Sequence, residues 1–328
     1  MSPIVSVIIP TANRPHYLPR AVNSALAGMQ QNEIEIIVVP NGPDESWKES
    51  LKPYKNNPCV KIIPIQEANA NIARNRGMEE ARGEFLRFLD DDDYLFPDKA
   101  IIQYQLIRTS NFDITCGAID VINSYGKIIR TLKPPEFNDF CESITSPIGF
   151  HLIHAYVYRK NAIQGLTWDP HIKSRQDVFW LFKLCQTKEV KYIKLNEAVG
   201  VWQHHWGTRI STKQDINDAN RITAEALIQI FKTLEKTDRL TEGRRRSIAQ
   251  GLWFCVHAAF FLSPVYWAKI AKVARHIDPQ TRPIQPIYQW PLLRFIDPLI
   301  IMWALYPKKF FMHLRRNYFL KHKSDNYW

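Results

Sequence analysis

Short apolar runs alternate with helix-periodic stretches over the first hundred residues, and this alternation constrains the fold more than any other feature of the chain. Ile4-Val5-Ser6-Val7-Ile8-Ile9 is stopped by Pro10, as a parallel strand buried on both faces would be. A helix is expected next, with Asn13 as its cap, Pro15 in its first turn, and Leu18, Ala21, Val22, Ala25 and Leu26 recurring at helical spacing. A second strand is expected over Ile34–Val39, closed by the turn cluster Pro40-Asn41-Gly42-Pro43. A short polar helix, a strand over Val60–Ile65, a helix over Asn71–Arg82 and a strand over Phe85–Leu89 follow. The pattern predicts an α/β fold, a mostly parallel sheet flanked by helices on both faces. Ligands of such sheets bind beyond the carboxyl ends of the strands. Three polar clusters fall there: Thr11-Ala12-Asn13-Arg14, Asn41-Gly42-Pro43-Asp44 and Asp90-Asp91-Asp92-Asp93.

Beyond residue 100 the pattern loosens. Strands are expected near Ile114–Ile119 and Ala155–Tyr158, and Val178, Leu181, Phe182 and Cys185 keep one apolar helix face. After Ser211 the chain reads as helical, with Leu227, Ile230, Phe231 and Leu234 on one stripe, so a boundary is placed near residue 215. With 328 residues, 45% hydrophobic and 23% charged, the chain is neither disordered nor a disulfide-stapled miniprotein. Its five cysteines, Cys59, Cys116, Cys141, Cys185 and Cys255, are scattered without a C-x-x-C pair, which argues against structural zinc and for a reducing, cytoplasmic compartment. The start, MSPIVSVIIPTANRP, lacks the basic region of a signal peptide, and residue 1 is taken as the start of the fold.

The net charge of +11 is unevenly placed. Residues 239–328 hold 15 Lys and Arg against 4 Asp and Glu, while residues 1–238 balance at 28 each. The same basic segment is rich in Trp, Tyr, Phe and Leu, a mixture that suits helices lying in an anionic membrane surface. Pro264, Arg294, Asp297 and Pro298 break every run before the ~18 apolar residues of a spanning helix, so the expected association is peripheral, on the inner face of the cell membrane. Trp253, Phe254, Trp267, Trp303, Phe310 and Phe311 would then supply the apolar contact, and truncation after residue 238 would leave a soluble domain. If these aromatics are instead core, the truncated chain precipitates. Nucleic acid is disfavoured as a partner, because the charges sit in apolar helical stretches and not in a base-stacking sheet.

Four consecutive carboxylates after the run Phe85–Leu89 repel one another unless a cation or hydrogen-bond donors gather around them. A divalent metal, Mg²⁺ or Mn²⁺, bridging carboxylates to substrate phosphates accounts for them better than a solvated acidic turn.

Read in order, SVIIPTANRPHYLPRAVNSAL (6–26), IEIIVVPNG (34–42), NIARNRGMEEARGEFLRFLDDDDYLFP (71–97), SRQDVFWLFKL (174–184) and HHWGTRIST (204–212) resemble the family 2 glycosyltransferases. The resemblance implies a GT-A fold and an inverting, metal-dependent transfer from a nucleotide diphosphate sugar to a hydroxyl of a glycan or glycolipid. It implies a catalytic domain over 1–215, with 1–100 as the nucleotide-sugar half and 101–215 as the acceptor half, and leaves 216–328 as a basic helical extension. Asp92 is then a metal ligand, with Asp90 facing the ribose or assisting the metal and Asp91 beside them. His205 is a second metal ligand. Asp177 is the general base, opening a helix where a carboxylate is held without burial, and Gln176 stands where the family usually has Glu. Pro10, Thr11, Asn13, Arg14, Asn41 and Arg74 belong to the nucleotide end. There, Ala12 replaces a base-stacking aromatic and Asn41 replaces the carboxylate that reads uracil; a UDP-sugar remains the expected donor. The competing functions are a nucleotidyltransferase, disfavoured by the glycine-poor turn at 11–15, and a nucleotide-binding protein that keeps the fold without turnover.

Overall fold

The computed structural model describes residues 3–203 and 215–323. The chain divides into two compact units, Met1–Ile144 with Ile148–Thr212, and Thr145–Pro147 with Lys213–Trp328.

The first unit is built on a nine-stranded sheet. Strand β1 (Val5–Thr11) is buried at all its positions, as its mostly apolar run requires, with Ser6 and Thr11 as the polar members. Helix α1 (Leu18–Leu26) begins after Tyr17, with Pro19 in its first turn. Asn13 is therefore not its cap. With φ at 57° it has a left-handed backbone that does not lead into a right-handed helix, and residues 14–17 form a separate turn closed by Tyr17 N–H on the Arg14 carbonyl, 3.2 Å. Strand β2 (Ile34–Pro40), helix α2 (Trp47–Leu51), strand β3 (Val60–Ile62), helix α3 (Ala70–Glu80) and strand β4 (Phe85–Phe88) follow. β3 is shorter than the expected run to Ile65 because Pro64 has no N–H to donate, yet Ile65 N–H still reaches the Pro40 carbonyl at 2.8 Å. Asn69 caps α3 by accepting from the N–H groups of Asn71 and Ile72.

Short β5 (Tyr94–Leu95), helix α4 (Pro97–Arg108), strands β6 (Ile114–Ile122) and β7 (Ile128–Leu132), helix α5 (Phe140–Thr145), strand β8 (Tyr156–Arg159), helix α6 (Gln176–Thr187) and strand β9 (Tyr192–Gln203) complete the unit. The sheet order is β3-β2-β1-β4-β8-β6-β9-β5, with β7 on β6. β3, β2, β1 and β4 run parallel, β8 lies antiparallel to both β4 and β6, and β9 returns parallel to β6. This is the GT-A arrangement. Val5, Val7 and Ile9 pack with Leu18 and Val22 of α1 on one face. On the other, α3 approaches so closely that a Cβ at Gly77 would stand 2.3 Å from Ile8 Cγ2. Helices thus cover both faces, and β1, β2 and β4 end side by side.

The scattered cysteines contain one pair that their spacing does not announce: Cys141 of α5 and Cys185 of α6 form a disulfide, while Cys59, Cys116 and Cys255 are buried thiols.

The second unit comprises α7 (Ile216–Lys236), α8 (Glu242–Ala259), α9 (Pro264–Ile277) and α10 (Pro298–Lys323). Asp215 caps α7, whose Leu227, Ile230, Phe231 and Leu234 are buried. Trp253 on α8 and Trp267 on α9 are also fully buried, so these two belong to the helical core and not to an exposed aromatic face. Among the described residues no helix is long and apolar enough to cross a membrane.

Candidate functional site

A cleft of about 530 Å³ opens where β1, β2 and β4 end. Pro10, Thr11, Asn13, Arg14, Asn41, Arg74, Asp90, Asp91, Asp92 and Asp177 all line it. His205 lies outside the described residues.

The strand ends supply a network that answers the repulsion among the carboxylates. Thr11 Oγ1 donates to Asp91 Oδ2 at 2.7 Å, and Arg14 Nη1 bridges Asp91 Oδ1 at 3.2 Å and Asp92 Oδ2 at 2.6 Å. Arg20 Nη2 donates to the Asp92 carbonyl at 2.9 Å, its guanidinium stacked on Tyr94. Asn41 donates both its backbone N–H and its Nδ2 to the Thr11 carbonyl, each at 2.9 Å, which fixes the end of β2 against that of β1. The chain leaves β2 through Gly42, whose φ of 91° suits glycine alone and whose position faces Ala68 without room for a side chain.

Arg74 links the carboxylates to α6. Buried on α3 and stacked over Trp168, it donates from Nη2 to Asp90 Oδ1 at 2.8 Å, and from Nη1 to Gln176 Oε1 at 2.8 Å and Asn71 Oδ1 at 3.0 Å. The glutamine thus meets Arg74 as a neutral acceptor, leaving Asp90 as the ionic partner of the guanidinium. Asp177, the next residue, sits in the first turn of α6 after Arg175, whose backbone is left-handed. Asp177 is not held without burial. Half-buried in the cleft wall, it is pushed up to about 7 by dehydration and by the charge of Asp90, against the opposing Arg74 and the N–H of Ile153. Burial pushes Asp90 up as well, but Arg74 outweighs it and holds Asp90 below the ordinary carboxylate range. Asp91 is raised to about 7, chiefly by burial. The site therefore sets two of its carboxylates apart: Asp90 ionises easily, and Asp177 keeps its proton longer.

Asp90, Asp92 and Asp93 each offer an oxygen, all within 4.8 Å of one another. An all-oxygen, anionic donor set of this kind fits a hard divalent cation such as Mg²⁺ or Mn²⁺. Asp93 is the member that sequence reading did not single out. It accepts from the Gln203 N–H at 3.0 Å and lies 3.3 Å from His154 Nδ1. His154 is kept neutral, lowered to about 3 by burial, and its carbonyl is gripped by Arg87 Nε and Nη2 at 3.0 and 2.7 Å. Trp202 lines the same cleft from the end of β9.

Fold and cleft together define an α/β protein of the GT-A type with an acidic site where its parallel strands end. The chain belongs to glycosyl transferase family 2, whose profile matches residues 6–184. A protein described as an uncharacterized glycosyltransferase of Rickettsia felis is 30% identical over 134 residues, which are 41% of this chain and 22% of that protein, so the chain spans about a fifth of that relative's length. In fold the chain is similar to residues 1–349 of S. aureus TarS, solved with UDP-GlcNAc, at a TM-score of 0.67 and 18% identity over 89% of this chain and 86% of that one. It is similar too to the mannosyltransferase PcManGT of Pyrobaculum calidifontis, solved with GDP-Man and Mn²⁺, at a TM-score of 0.50 and 14% identity over 97% and 87% of the two chains.

Proposed function

We propose that this chain is a metal-dependent inverting glycosyltransferase, moving a sugar from a nucleotide diphosphate donor to a hydroxyl of a glycan or glycolipid in cell-surface polysaccharide or glycolipid synthesis. The observation that carries this reading is the meeting, in one cleft, of an acidic cluster at the end of β4 with Asp177 in the first turn of α6, the helix that Arg74 ties to Asp90 through Gln176. Relatives solved with UDP-GlcNAc and with GDP-Man and Mn²⁺ support the donor class and the cation.

Asp90, Asp92 and Asp93 would hold Mn²⁺ or Mg²⁺, with His205 as a further ligand. Held there, such a cation would supply Lewis-acid neutralisation of charge on a departing diphosphate. Arg14, which lines the same cleft, would pair with those phosphates. Asn41, whose Nδ2 is spent on Thr11, has Oδ1 left to accept from a base N–H, as uracil N3–H would offer, and UDP is the nucleotide we test first. Asp177 takes the acceptor hydroxyl's proton as that oxygen attacks the anomeric carbon, and the bond to the diphosphate breaks on the opposite face, inverting the configuration.

Nucleotide release from a panel of UDP-sugars, with Mn²⁺ and a glycan acceptor, tests the reading. Asp177→Asn should lower transfer by about 10²–10⁴-fold while leaving UDP affinity unchanged. In the wild type, transfer should rise with pH as Asp177 loses its proton, on a limb above the ordinary carboxylate range, and this limb should vanish in the variant. Wild-type turnover in Asp177→Asn would remove it as the base, and UDP affinity indifferent to EDTA would remove the metal.

A further inference from the structure

The second unit buries Trp253 and Trp267 but leaves several large apolar side chains between residues 290 and 312 exposed, Trp303 among them although its ring packs edge-to-face with buried Phe260. Leu292 is 83% exposed, Phe295 77% and Phe311 67%, and Trp290, Ile300 and Trp303 are exposed beside them in sequence. On α10, Ile300, Trp303, Pro307, Lys308 and Phe311 recur at i, i+3, i+7, i+8 and i+11, which places them on one side of the helix. Met302, on the opposite side, and Ile301, at the edge of the stripe, are buried. This helix therefore has a second apolar side, facing solvent. Such a surface needs an occupant.

The charge of the surface says which. Between residues 290 and 312 the only acidic residue is Asp297, ion-paired with Arg275, whereas Arg294 and Lys308 are exposed among the apolar groups. The whole segment 239–328 carries 15 basic residues against 4 acidic ones. Exposed Trp and Phe rimmed by Lys and Arg match the headgroup level of an anionic bilayer, where rings enter the acyl boundary and cations meet phosphates. No described helix is long and apolar enough to cross that bilayer, so the contact lies flat upon it. We propose that residues 290–312, and not the whole basic segment, dock this chain on an anionic lipid surface such as the inner face of a cell membrane.

Co-sedimentation of the full chain with phosphatidylcholine vesicles, with and without phosphatidylglycerol, tests this. Binding to phosphatidylglycerol vesicles at low salt is expected, falling as salt rises, with a weaker, salt-insensitive residue on neutral vesicles. Arg294→Gln with Lys308→Gln should weaken binding to the anionic vesicles about thirtyfold and leave neutral binding alone. Phe295→Ser with Phe311→Ser should weaken both by more than about tenfold. Unaltered circular dichroism and thermal melting would show that these exposed substitutions keep the fold. Failure of the full chain to sediment at low salt overturns the proposal, as does undiminished binding by the double variants. So does sedimentation velocity showing a dimer that Phe295→Ser with Phe311→Ser dissociates, without any lipid binding, since the occupant is then a second copy.

Discussion

Arg14 and the proposed cation would both draw on Asp92. The guanidinium sits 2.6 Å from Asp92 Oδ2 and also holds Asp91, so a cation that took this oxygen would displace it, and under the proposed function the displaced group would be free for diphosphate oxygens. Arg14→Met, which keeps the unbranched apolar stem and removes the guanidinium and its charge, should tighten Mn²⁺ binding in the absence of nucleotide. It should also weaken UDP binding in the presence of Mn²⁺ by ~1.5–3 kcal/mol, the range for a charge-assisted hydrogen bond. Calorimetric titrations of each ligand separate the two effects, and a parallel loss of both affinities would show that Arg14 serves only to hold the carboxylates in place. The acidic cluster was legible before any coordinates, because four aspartates after an apolar run have few explanations. Arg87 and His154 were not. Their partners lie 67 positions apart, and nothing near Arg87 in sequence distinguishes a buried clamp from a polar interruption of a strand. Asp177 was placed correctly on its helix, but its dehydration depends on Asp90 and the Ile153 N–H, which the sequence leaves far away.

Glu35 fastens together three pieces of the parallel half-sheet. Its Oε1 accepts from Ser6 Oγ at 2.6 Å and from Arg82 N–H at 2.5 Å, its Oε2 from Arg82 Nε at 2.9 Å, and Ser6 Oγ in turn accepts from Gly83 N–H at 2.8 Å. Burial alone would raise the pKa of Glu35, but Ser6 and Arg82 outweigh it and hold the carboxyl below its ordinary value. Because the native pKa is the lower one, this stabilisation is complete above the unfolded-chain value and is lost as pH falls through the native value. Glu35→Gln should cost ~1–3 kcal/mol at neutral pH and flatten the acid limb of the unfolding midpoint measured in urea against pH. An unchanged acid limb would assign that limb to other carboxylates. Strands β1, β2 and β4 were readable because both faces of a parallel sheet are buried and most positions are apolar, with Ser6, Glu35 and Arg87 as the buried polar exceptions. β7 was not, since its Ile128–Arg130 are exposed and carry no alternation, and β9 mixes Lys194, Asn196 and Glu197 with its apolar residues. The start of α1 was misplaced because a left-handed Asn13 and a capping Asn13 look alike in sequence.

Charge balance suggested a cut near residue 238, and the packing argues against it. α7 packs on α8, and α8 on α9, with Leu227, Ile230 and Leu234 buried on α7 and Trp253 on α8. A chain ending at 238 would keep α7 and discard the helices that cover it, exposing apolar side chains worth ~1.5–3 kcal/mol each when buried. Truncation at 238 should therefore shift expressed protein to the insoluble fraction, reversing the expectation drawn from charge alone. A soluble, monomeric 1–238 fragment by gel filtration would show that α7 finds cover elsewhere. Composition located the basic segment correctly, but it cannot separate an aromatic that fills a core from one that faces outward: Trp267 and Trp303 read alike and end as a fully buried and an exposed ring.

The cleft draws its walls from positions far apart in the chain: Thr11 meets Asp91, Arg74 meets Gln176, and Gln203 reaches back to Asp93. A ribosome that has delivered only the first hundred residues has made every aspartate of the acidic cluster and neither Asp177 nor Gln176, the neutral partner of Arg74. The growing chain has no complete cleft until the end of β9 has emerged, because Trp202 lines it and the Gln203 N–H holds Asp93. Once complete, the same dispersion works in reverse. Any ligand that fills the cleft favours the state in which all these segments are assembled, by ~2.7 kcal/mol at a hundred times its dissociation constant. Occupancy of the cleft would then be readable as resistance to unfolding, independently of any turnover.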